Sequence, residues 1–251
     1  MNQQLQVFNS LELTDLKLNK ARWWQTFFVV LQVSHRSLMY RKAVWFGLLI
    51  FAACVLILFP FAFGTDLMSR TDMRFGAFWA VQEFVVALSI TRIFTAEMES
   101  GALEFWLASR APRSAILMGK ICYTALQMIS LQVPMTILWI VFYNVKPEVL
   151  QVVLRVLIPV NILFSLGTAS LGALIHCVTA RSMAREILVP VLFYPLQIAL
   201  LLASVTLCVK SDTASQVVGA FGAGAWWSIL LVTPVIFSGM GFLLDNALLQ
   251  E

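Results

Sequence analysis

The sequence predicts an all-α integral membrane protein. It has six transmembrane helices, an N-terminal interfacial helix and a short cytoplasmic helix between the second and third spans. Three observations lead there. Hydrophobic residues make up 60% of the chain and charged residues only 12%, a balance foreign to soluble domains. Six apolar stretches approach the roughly 20 residues that cross a bilayer: Ala43–Phe63, Phe75–Thr95, Ile121–Tyr143, Val152–Cys177, Ile187–Val209 and Trp226–Leu244. Lys and Arg also divide unevenly between the two sides, twelve against five when the connections are assigned alternately.

That division sets the orientation, because cytoplasmic connections hold the excess of Lys and Arg. The richer side carries Lys17, Lys20, Arg22, Arg36, Arg41 and Lys42 before the first span. The second-to-third connection adds Arg92, Arg110, Arg113 and Lys120, and the fourth-to-fifth adds Arg181 and Arg185. Both termini are therefore expected in the cytoplasm. The net charge of +4 follows from this bias and calls for no nucleic acid.

Residues 1–20 lack a sustained apolar period and read as a polar extension ahead of one membrane domain over residues 21–251. No signal peptide is expected, since that stretch is polar and the first long apolar run begins too late for one. From Arg22 to Lys42 the pattern turns amphipathic. Arg22, Gln25, Thr26, Gln32 and Arg36 gather on one face, and Trp23, Trp24, Phe27, Phe28, Val30 and Leu31 fill the other. A helix lying in the membrane interface fits, with tryptophans at the headgroup boundary; a helix packed on another protein is the alternative. The first span ends in Leu58-Phe59-Pro60-Phe61 and turns at Gly64-Thr65-Asp66.

After the second span comes E-M-E-S-G-A-L-E-F-W-L, Glu97 to Leu107. At about 100° per residue Glu97, Gly101 and Glu104 share one narrow face, while Met98, Leu103, Phe105 and Trp106 cover much of the rest. Glu97 and Glu99 near the start and Arg110 near the end suit a helix dipole, and Pro112 stops this helix or begins the next. An acidic stripe centred on glycine fits a groove on another protein. Anchoring in headgroups is the alternative, although interfacial helices favour Lys and Arg.

Ser165, Gly167, Ala169, Ser170, Gly172 and Ala173 permit close helix approach around the fourth span, expected to be packing within one subunit. Pro190 and Pro195 are expected to bend or break the fifth span. Gly219, Gly222 and Gly224 suggest an irregular re-entrant or interfacial piece on the periplasmic side.

Several chemistries are excluded. No G-x-x-x-x-G-K-[ST] phosphate loop is present, so the chain cannot bind ATP by the usual device and is not expected to be an enzyme. Only two histidines exist, His35 and His176; both read as structural or snorkelling residues, and no metal ligand set or directly bound cofactor is expected. Cys54, Cys122, Cys177 and Cys208 lie in or at the ends of spans and read as small packing residues. Glu83 and Arg92 are candidate intramembrane functional residues. Glu83 falls about 12 Å into the second span at about 1.5 Å per residue, where carboxylates are functional suspects; a neutral carboxyl hydrogen-bonded beside Gln82 is the alternative. Arg92 fits positive-inside anchoring.

An ordered set of motifs resembles the haem exporter protein B (CcmB) family, a subfamily of the ABC-2 type permeases. It comprises Trp24 to Arg36, Trp45-Phe46, Leu58-Phe59-Pro60, Phe78-Trp79, Arg92-Ile93-Phe94, the E-x-x-x-G-x-L-E of Glu97 to Glu104, Pro112 to Lys120, Arg181 with Arg185, and L-V-P-x-x-x-x-P from Leu188 to Pro195. The resemblance covers approximately residues 22–244. It implies a single ABC-2 type transmembrane domain in the bacterial inner membrane, two copies per complex, and a coupling helix docking through Glu97, Gly101, Leu103, Glu104 and Trp106. The implied partners are a CcmA-like ATPase, a CcmC-like haem-handling protein, a CcmD-like small subunit and a CcmE-like haem chaperone. ATP is then used by the partner, and haem is the cargo of the complex. The expected work is haem export or ATP-driven release of the haem-loaded chaperone. Absence of a W-W-D motif and of periplasmic histidines leans against haem passing through this subunit. Residues 1–20 and Glu83 have no counterpart in the family pattern. The rivals are an ABC-2 permease exporting a lipid, glycan or drug, a secondary transporter coupling protons through Glu83, and a non-transporting scaffold.

Overall fold

The structure, a computed structural model, describes residues 23–40, 42–68, 70–99, 112–145, 147–179, 185–213 and 224–248. Every element among them is helical: α1 (Trp23–Tyr40), α2 (Lys42–Phe63), α3 (Thr65–Met68), α4 (Thr71–Glu99), α5 (Arg113–Phe142), α6 (Pro147–Thr179), α7 (Arg185–Thr213) and α8 (Gly224–Leu248). Helices are what an apolar chain must form in hydrocarbon, where each backbone N–H and C=O has to be satisfied within its own segment. Six of them, α2 and α4 to α8, are long and apolar enough to span a membrane.

The spanning helices overrun the apolar stretches at most ends. α4 continues to Glu99, because Ala96 to Glu99 are strong helix formers and nothing in that stretch stops the turn. α2 ends where expected. Gly64 adopts φ +82°, a conformation glycine enters without steric cost, and its N–H bonds the Pro60 carbonyl at 3.0 Å. α7 passes through both Pro190 and Pro195 as one helix, so of the expected bend or break the break does not occur.

α6 is the axis of the bundle. Within its apolar stretch 72% of residues are buried, against 17% for α2 and 11% for α8. It packs against α8, α7, α5 and α4. Its composition explains that place: Ser165, Gly167, Ala169, Ser170, Gly172 and Ala173 are all buried inside this chain, as small residues that admit close neighbours. A Cβ at Gly167 would stand 3.0 Å from Leu200 Cδ2 of α7. Ala169 and Ala173 pack with Leu117, Ile121 and Ala125 of α5.

The largest side chains fill the space between α4, α5 and α6. Phe75, Phe78, Trp79, Trp139 and Phe164 are fully buried. Their ring centroids lie 5.0 to 5.5 Å apart in tilted or edge-on arrangements, the geometry ring quadrupoles favour. Outside, Phe46, Ile50, Leu58 and Phe61 on α2 and Val235 and Leu243 on α8 are exposed. So wide an apolar surface belongs in lipid.

Candidate docking and intramembrane sites

The sequence pattern predicts a separate acidic docking helix from Glu97 to Leu107. Glu97 instead belongs to the last turn of α4, the same helix as the second span. Gly101, Leu103, Glu104 and Trp106 lie outside the described residues, as do the side chains of Glu97 and Arg92. At the far end of that segment the ambiguity over Pro112 resolves: it stands before the first turn of α5, with φ −64° and ψ 118°. Its carbonyl accepts from Ala115 N at 3.0 Å and Ile116 N at 3.3 Å, so proline sits where its missing N–H costs nothing.

α1 is clamped to those same first turns of α5. Trp23 Nε1 donates to Ser114 Oγ at 3.1 Å, and Thr26 and Val30 are buried. Gly119 makes the contact close, since a Cβ there would lie 2.9 Å from Val30 Cγ1 and 3.3 Å from the Phe27 carbonyl oxygen. The division of α1 into a polar and an apolar face therefore needs correction. Thr26 turns inward onto α5, while Trp24 and Phe28 join Gln25 and Gln32 on the exposed side. Packing against α5 takes one stripe of a helix whose apolar residues exceed what that stripe can hold. Sequence reasoning missed Ser114 and Gly119; the available signal was a glycine one turn into a span with no turn to make.

Glu83 lies on α4 and is partly buried. Its carboxyl is within hydrogen-bonding reach of Gln197 on α7. Gln197 Nε2 also donates to Thr168 Oγ1 of α6 at 2.7 Å, so a chain of polar side chains links three spans. Gln82, considered as the neighbour of Glu83, instead points its fully buried side chain along another direction of α4, as adjacent helical residues must. Neither of its amide atoms has a hydrogen-bond partner among the described residues.

His35 is exposed on α1, and His176 is buried near the end of α6; they stand on separate elements. Among the described residues Cys54 is exposed, Cys122 half-buried and Cys208 buried, all as free thiols. No group of three or more His, Cys, Asp or Glu that could hold a metal occurs among the described residues.

Comparison with known proteins adds two findings. The family model described as "CcmB protein" matches residues 25–237, a stretch that begins in α1 and ends in α8. The chain is also similar to the heme exporter protein B of Pseudomonas aeruginosa, 30% identical over 95 residues. That alignment covers 38% of this chain and 43% of the relative, so the shared segment spans less than half of the relative's length. The family match, by contrast, takes in most of the chain and reaches all six spans, and on that ground the chain belongs to the CcmB protein family.

Proposed function

We propose that this chain is the membrane permease subunit of an ABC transporter for cytochrome c maturation, acting in haem export or in ATP-driven release of a haem-loaded chaperone. The observation that carries the reading is the family match over residues 25–237, coincident with a six-span helical bundle. ATP is hydrolysed by a separate CcmA-like subunit. CcmC-like, CcmD-like and CcmE-like proteins handle the haem, which is the cargo of the complex. Two copies of this chain sit in the bacterial inner membrane with both termini in the cytoplasm, and the basic bias of the connections supports that orientation.

The segment around Glu97, Gly101, Leu103, Glu104 and Trp106 docks in the ATPase. α4 is the rod that carries its movement inward. It is continuous from Thr71 to Glu99, so a displacement at Glu97 reaches Glu83, about 21 Å away at about 1.5 Å per residue, without a joint to absorb it. At the other end of the docking segment, the Trp23–Ser114 bond and the close Val30–Gly119 approach hold α1 and α5 together.

Charge reversal and steric block test the docking. Glu97→Lys with Glu104→Lys sets like charges against a basic groove, and such contacts can cost several kcal/mol. Gly101→Trp obstructs the approach. Both variants are expected to reach the membrane in normal amounts yet lose the co-purifying ATPase and cytochrome c maturation. Full ATPase yield and normal maturation in both would end the docking role.

A further inference from the structure

The interior of the bundle carries a polar seam whose hydrogen-bonding capacity the protein does not use up. On α6, Asn161, Ser165 and Thr168 recur at i, i+4 and i+7 and so share a face. The Ser165 hydroxyl can donate its proton to Gln132 Oε1 of α5 at 3.0 Å or to the Asn161 carbonyl at 2.8 Å. One turn further on, Thr168 accepts from Gln197 of α7 at 2.7 Å, and Gln197 reaches Glu83 of α4. These positions lie within about one turn of mid-span on their helices. Ser165 is the central residue of the apolar stretch Leu154–His176, and Glu83, Gln132 and Gln197 each stand about one turn or less from the centre of theirs.

What remains after these bonds decides the matter. Glu83 Oε2, Gln132 Nε2, Asn161 Oδ1 and Gln197 Oε1 are shielded and have no hydrogen-bond partner among the described residues. Gln197 is fully buried and Gln132 nearly so. In hydrocarbon an unpaired amide is expensive. A single orphan is a packing defect; orphans near mid-span on four helices make a site. The unused groups include both N–H donors and oxygen acceptors, so the ligand must donate and accept. Lipid chains do neither.

We propose that the seam between α4, α5, α6 and α7 is a water-binding site at mid-membrane depth, centred on Glu83, Gln197 and Thr168. Buried waters characteristically bridge polar groups that lack protein partners, with two to four hydrogen bonds each. The inference needs no ATPase and no haem, so it stands or falls separately from the transporter reading.

Two measurements on the full chain in native membranes test it. In a background with Cys54, Cys122, Cys177 and Cys208 changed to Ala, Thr168→Cys and Gln197→Cys are challenged with a small water-soluble methanethiosulfonate. The control is Ile198→Cys, adjacent to Gln197 in depth but exposed on the outer face of the bundle. Only a thiolate reacts, and it forms only where water reaches. Labelling of both seam cysteines at least roughly tenfold faster than the control is expected; equal rates would overturn the proposal. The second measurement needs no cysteine variant to fold. If the seam were dry, Asn161→Leu would remove the unpaired side-chain carbonyl at Asn161 Oδ1 and raise the thermal midpoint. With water bonded to that oxygen, the midpoint stays level or falls. A raised midpoint would therefore overturn the proposal on its own.

Discussion

The Tyr143 hydroxyl donates to the Leu56 carbonyl at 3.1 Å, joining residues 87 positions apart. Leu56 lies four residues before Pro60, inside α2. Proline has no N–H, so the Leu56 carbonyl lacks its ordinary i+4 donor, and the hydrocarbon around a spanning helix offers no replacement. Tyr143 stands just beyond α5 at its C-cap, anchored by its own N–H on the Trp139 carbonyl at 3.0 Å. A defect in the first span is thus repaired by the end of the third.

Tyr143→Phe is expected to destabilise the bundle by about 1–3 kcal/mol, the cost of an unsatisfied buried acceptor. The cause is testable because it is conditional. In a Pro60→Ala background, the backbone at position 60 supplies the missing N–H, and removing the hydroxyl should then cost little. Thermal midpoints of the four proteins complete the cycle. An equal loss in both backgrounds would detach Tyr143 from the proline defect.

Gly119 sets how closely α1 approaches α5. Gly119→Ala places a methyl against Val30 Cγ1 at 2.9 Å, and overpacking of this kind typically costs about 1–3 kcal/mol. Val30→Ala in the same chain removes the obstructing methyls and should recover much of the loss. If the double variant is no more stable than the sum of the two singles predicts, the steric account of this contact is wrong.

Much of the architecture was legible because hydrocarbon imposes it. The six spans follow from apolar length, and the turn at Gly64 from a glycine placed after an apolar run. Packing of Ser165, Gly167 and Ala169 inside one subunit follows from their size. Three features were not legible, for distinct reasons. The continuity of α7 through Pro190 and Pro195 depends on neighbouring helices, which a local rule about proline does not see. The inward turn of Thr26 depends on Gly119, 93 positions later in the chain. The meeting of Glu83 with Gln197 depends on which helices become neighbours. Sequence offered only adjacent Gln82 as a partner, whereas a helix sends adjacent side chains apart.

Neither histidine is placed to hold haem jointly with the other, since His35 is exposed on α1 and His176 is buried in α6. Replacing them together, His35→Ala with His176→Gln to keep a polar side chain in the buried position, should leave cytochrome c maturation substantially intact. Haem-stained cytochromes in a strain lacking the native subunit give the readout. Loss of maturation, with normal abundance and normal ATPase recovery, would restore a direct part in haem handling to this chain.

The orientation is the most direct test of the charge argument. Twelve Lys and Arg fall on the side assigned to the cytoplasm and five on the other, and this asymmetry orients multi-span proteins because basic connections resist translocation. The turn after α2 supplies the outward probe. Asp66 and Leu67 are exposed in the short α3, so a cysteine at Leu67 is open to reagents without disturbing a span. In intact cells an impermeant maleimide should label Leu67→Cys. The same reagent should leave Ser100→Cys, the next residue in sequence after Glu99, unmodified until the membrane is breached. A reporter fused after Glu251 should be active only if it is one that works in the cytoplasm. Protection of residue 67 together with labelling of residue 100 would reverse the orientation and put the Glu97 segment beyond the reach of any cytoplasmic ATPase.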